Sequence, residues 1–116
     1  MAENLLQEAL EIGITVLSIL GVRLPVEPKI HNLLSSFAQT NLVLFGKRIE
    51  DLAYLQRMTA PYKLAAMKIL MLIAPAASMV NSLKFPLAIF AMVRLSVKYG
   101  NSVYAAYGYS IYGAII

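Results

Sequence analysis

A single histidine (His31), six carboxylates and no cysteine are the chain's whole supply of strong metal ligands and proton carriers. Without thiolates, neither a disulfide nor a cysteine-based zinc site can form. One imidazole with acids scattered over Glu3, Glu8, Glu11, Glu27, Glu50 and Asp51 does not supply a ligand set either, so His31 reads as structural or exposed. Glu50 and Asp51 are sequence neighbours, which a helix points to different sides. They make a poor acid–base pair and suit the first turns of a helix, where the dipole favours anions. Ser18, Ser35, Ser36, Ser78, Ser82, Ser96, Ser102 and Ser110 sit in no nucleophile-elbow context. The glycines at 21, 46, 100, 108 and 113 are too far apart, or wrongly placed, for a phosphate-cradling loop. The expectation is therefore no catalytic residue, no metal site and no cofactor.

The tyrosines are a different case. Tyr99, Tyr104, Tyr107, Tyr109 and Tyr112 crowd a short stretch mixed with Ala105, Ala106, Gly108 and Gly113. Rings nesting against small residues let helices approach closely, and their hydroxyls can sit wet at an interface. A base-stacking or ligand platform is the functional alternative. Charge is also uneven. All six acids lie in residues 1–58, whereas 59–116 hold Lys63, Lys68, Lys84, Arg94 and Lys98 and no acid. Such a half could face an acidic neighbour, anionic lipid, nucleic acid or water. No recognised nucleic-acid motif accompanies the bases, so nucleic acid is not the expected partner.

These residues need elements to position them, and the elements are apolar. The chain is 59% hydrophobic and 14% charged, with a mean hydropathy of +0.69. Ordinary soluble domains run to about 45–50% apolar and about 25% charged. A membrane protein, a piece of a larger assembly and an oversized core all compete to explain this. Ile69–Leu83 is the most apolar uncharged run, but it holds Pro75, Ser78, Asn81 and Ser82, and Lys84 follows it. A span over 69–93 would place that lysine inside the bilayer, at a cost of up to about 2.5–3.5 kcal/mol near its centre. No basic segment precedes an apolar run at the N-terminus, so no signal peptide is expected and the location expected is cytoplasmic.

Apolar periodicity places helices at about 3–20, 29–44, 47–56, 61–80, 83–99 and 102–116. Gly21, Gly46 and Gly100 are placed to end three of them, Pro61 to start one, and Asn101 or Ser102 to cap the last. Pro75 is expected to kink the fourth helix or begin a new turn. On the fifth, Lys84, Leu87, Ala91, Arg94 and Lys98 share a stripe opposite Phe85, Ile89, Met92, Val93 and Val97. The stripe predicts Lys84, Arg94 and Lys98 facing solvent or an acidic partner. With Tyr104 and Tyr107 they form the candidate interaction surface. The fold class is all-α: helical hairpins with short Gly/Pro turns, as in a bundle or a helical-repeat solenoid.

Several ordered segments carry a resemblance: Val16-Leu17 with Leu20–Pro25, then Asn41–Leu52, Arg57–Thr59, Lys63–Leu70, Leu95–Ser102 and Ala106–Gly113. Together they resemble the tetratricopeptide-like (TPR-like) helical segment of very large, mostly cyanobacterial, multi-sensor signalling kinases. Those proteins join a Ser/Thr kinase domain, a predicted AAA-type ATPase, this segment, GAF sensors and a histidine kinase. The family usually has Asp-Pro where Ala60-Pro61 stands here. The resemblance implies a TPR-like α-solenoid fragment, 1–116 forming one helical-repeat segment that starts and stops inside a longer array. It implies a non-catalytic scaffold or regulatory role between ATPase and sensor modules, with neighbouring repeats, or self-association through exposed apolar faces, as partners. The alternative from another class is a small membrane-associated helical protein inserting residues 69–93.

Overall fold

Three glycines with positive φ (Gly21, Gly46 and Gly100) stand just beyond the ends of three helices. The left-handed region that stops a helix is open to glycine without steric cost. The computed structural model describes residues 2–25, 28–47, 57–80 and 83–115. Their helices are α1 (Ala2–Ile19), α2 (Ile30–Leu44), α3 (Pro61–Met79), α4 (Lys84–Tyr99) and α5 (Ala105–Ile115). The chain is all-α over these residues, and the only β feature described is an isolated bridge between Arg57 and Asn101. The helix expected at 47–56 falls, apart from Lys47, outside the described residues, as do Glu50 and Asp51.

Local chemistry explains the boundaries. Asn32 accepts a hydrogen bond from the Lys29 amide at 2.9 Å, tying the first turn of α2. Pro61 opens α3, where a missing N–H costs nothing. Its N-cap is Ala60, which has no side chain to cap with. The helix runs through Pro75 instead of breaking there, although the proline leaves the Met71 carbonyl without its helical donor. Pro86 is tolerated in the first turn of α4 for the same reason as Pro61. The last helix begins at Ala105, three residues later than expected, and Ser102 forms the turn that leads into it: its carbonyl accepts from the Ala105 amide at 3.1 Å and its Oγ from the Tyr104 amide at 3.2 Å.

The core is built around α4. Leu87 through Val93 are all buried, and α3, α2 and α5 each pack against this helix, while α1 packs on α3. The radius of gyration, 13.6 Å, is close to the roughly 13 Å of a packed domain of this size. Two glycines set the closest approaches. A Cβ on Gly13 of α1 would lie 2.5 Å from Ile73 Cγ2 of α3, and one on Gly108 of α5 would lie 3.1 Å from Met92 Cβ of α4. Neither crossing could be this close with a larger residue.

Candidate functional site

The basic stripe of α4 does not face solvent as its periodicity predicts. Lys84 is buried and partnered, Leu87 and Ala91 are buried, and Arg94 is half-buried; Lys98 alone of the five is exposed. The reason is the number of neighbours. A helix wrapped by three others has no wide outer face, so polar residues on it must be satisfied internally.

Arg94 shows how. Its Nη1 donates to the Ser36 carbonyl at 3.1 Å, the Ser36 hydroxyl at 2.6 Å and the Thr40 hydroxyl at 3.0 Å. The Thr40 hydroxyl itself donates to the Ser36 carbonyl at 2.8 Å. Ser36 and Thr40, one helical turn apart, thus turn the inner face of α2 into an acceptor site for one guanidinium. Burial lowers the Arg94 pKa from its ordinary value, because the charged form loses hydration. Arg94 is a cross-link between α4 and α2, and sequence reading missed this because Ser36 and Thr40 look like surface residues in isolation.

An aromatic group ties the same helices together farther in. Phe90 lies 5.6 Å from Phe37 and 5.8 Å, edge-on, from Tyr112, ring centre to ring centre. The Tyr112 hydroxyl donates to Asn41 Oδ1, joining α5 to α2. Tyr109 donates to Asn101 Oδ1 at 3.3 Å. Burial raises the pKa of both tyrosines above their usual value, partly offset at Tyr109 by the nearby Ser96 hydroxyl, which is buried without a well-formed hydrogen bond. Tyr104 and Tyr107 are half-buried against the core, so the tyrosine cluster is spent largely on packing. Tyr104 also lines a groove with Arg57 and Lys68. The structure therefore does not gather Lys84, Arg94, Lys98, Tyr104 and Tyr107 into one surface.

What remains outward is apolar. On α1 the residues Leu5, Ala9, Ile12, Val16 and Ile19 are all exposed, Ile12 by 66% and Ile19 by 79%. Their steps of four and three residues are those of a coiled-coil seam. The opposite face of α1, with Leu10, Gly13, Ile14 and Leu17, is buried on α3. The structure divides the apolar residues of α1 into two faces, and the described helices bury one of them. Glu8 and Glu11 border the exposed seam together with Ile12, Thr15 and Val16, and α1 carries no base. The surface is thus greasy and acidic.

Among the described residues no group of three histidine, aspartate or glutamate side chains converges as a metal site. The protein-family models, the curated proteins and the solved structures contain no match to this chain.

Proposed function

We propose that this chain is a non-catalytic helical scaffold segment of the tetratricopeptide-like kind its sequence resembles, working by helix-on-helix packing in the cytoplasm. The observation that carries the reading is the uncovered seam of α1, Leu5 to Ile19. Its spacing suits a helix, because a 3.5-residue apolar repeat keeps facing a second helix along its length. Its acidic border selects the occupant: a helix of a neighbouring repeat whose apolar stripe is flanked by lysine or arginine. The exposed side of α3, with Lys68, Leu72 and Met79, has that chemistry, so isolated copies are expected to associate α1 to α3.

Packing of α3 against α4 supplies one helical hairpin, the unit such a segment repeats, and α1 and α2 pack on its two helices, α1 on α3 and α2 on α4. In the multi-sensor kinases that the sequence resembles, such a segment would space or regulate the ATPase and sensor modules. One observation favours the membrane alternative: α3 is the one described helix long and apolar enough to cross a bilayer.

Sedimentation velocity in detergent-free buffer separates the two. The chain alone is expected to self-associate, and the chain joined to adjoining repeats of such a kinase to run as a helical monomer. Insolubility of both until lipid or detergent is added would remove the scaffold reading and install the membrane one.

A further inference from the structure

A second feature of the surface carries positive charge. One open cleft of about 510 Å³ is lined by Arg23 from the turn after α1, Lys63 from α3, and Arg94, Lys98 and Tyr99 from the end of α4, with Gln39 of α2. Four cations from three parts of the sequence meet there, and none of the described lining residues is an acid. The two lysines share one aromatic contact. The Lys63 Nζ lies 4.9 Å and the Lys98 Nζ 5.4 Å from the centre of the same Tyr99 ring. Lys63 also reaches over Gly21, where a Cβ would stand 3.5 Å from its Nζ. Arg94 is fixed by its bonds to Ser36 and Thr40.

A purely structural cause for this convergence exists but is too small. α1 and α4 both end beside the cleft, and a helix C-terminus carries about half a negative charge. Two such ends offset about one of four whole cations, leaving the rest to repel one another. Like charges held by cation–π contact and hydrogen bonding, with no carboxylate among the described lining residues, form a prepared site for an anion. Tyr99 already carries two ammonium groups and is not a free stacking surface for a base. Gln39 adds an amide donor beside the charges.

We infer that the cleft between the end of α1 and the end of α4 binds a compact, multiply charged oxyanion, the phosphate moiety of a phosphorylated small molecule. The site is independent of the α1 seam, so neither reading stands or falls with the other.

Isothermal titration of the full chain with inorganic pyrophosphate at low ionic strength tests it. The expected result is saturable binding that weakens at least tenfold in Lys63→Gln/Lys98→Gln and stays unchanged in Lys68→Gln, an exposed lysine of α3 outside the cleft. A nucleoside diphosphate titrated in parallel and binding equally shows that the phosphates alone are recognised; tighter binding adds a contact to the nucleoside. Absence of saturable binding, or one common affinity for the wild type and both variants, overturns the inference. If the double variant does not give a folded far-ultraviolet spectrum, Lys98→Gln alone, at an exposed position, reads the same loss.

Discussion

Helices α1 and α4 carry comparable amphipathic patterns, yet the fold uses them in opposite ways. On α4, cationic side chains at Lys84 and Arg94 are drawn inward and satisfied there. On α1, large aliphatic side chains at Leu5, Ile12 and Ile19 are left outward and exposed. The difference lies in neighbours: among the described helices three pack closely on α4, and α3 alone packs closely on α1. Polarity along a helix therefore states which residues share a face, and the number of packed neighbours decides what that face meets.

The largest loss is expected at the centre of α4. Phe90→Ala removes the ring that Phe37 and Tyr112 pack on, and is expected to cost about 3–5 kcal/mol in urea unfolding. Next comes the polar cross-link. Arg94→Ala strands the Ser36 and Thr40 acceptors and is expected to cost about 2–4 kcal/mol. Arg94→Lys should recover only part of this, because one ammonium on a flexible stem cannot reproduce the planar guanidinium. A cost of less than about 0.5 kcal/mol for Arg94→Ala would return that residue to the solvated stripe its periodicity predicts.

At the covered face of α1, Gly13→Ala sets a gain in helix propensity of about 1 kcal/mol against a Cβ placed 2.5 Å from the stiff, β-branched Ile73. The net is expected to be a loss of about 1–2 kcal/mol, read as a lowered urea midpoint. The smallest effect is a pH dependence. Burial holds Tyr109 and Tyr112 above the ordinary pKa of 10.0. Their contribution is whole below that value and erodes as pH rises past it, because the unfolded chain gives up those protons first. Tyr112→Phe should flatten this alkaline loss in a series of unfolding curves between about pH 9 and pH 11.

Much of the fold is legible in the residues. The glycines at 21, 46 and 100 mark helix ends, Pro61 marks a start and Ser102 the turn before the last helix, because each acts on its own few neighbours. Of the two outcomes expected at Pro75, a new turn does not form: the helix continues through it, with Ile73, Ala74 and Ala77 buried around it. Arg94 was illegible for the same kind of reason, since its acceptors lie 54 and 58 residues away in sequence. The cationic cleft also depends on tertiary placement, joining Arg23 to Lys63, Arg94 and Lys98. Composition did register the acid-free half from which three of those four cations come.

The central claim is that the outer seam of α1 is a docking face for another helix. The most direct test is sedimentation velocity of the wild type beside Ile12→Glu/Ile19→Glu, with circular dichroism to follow helix content. Both positions are exposed, so the change should leave helix content and unfolding midpoint nearly unaltered, within about 0.5 kcal/mol. The account predicts a self-associating wild type and a monomeric variant. An equal state of association in the two, with helix content preserved, would contradict it.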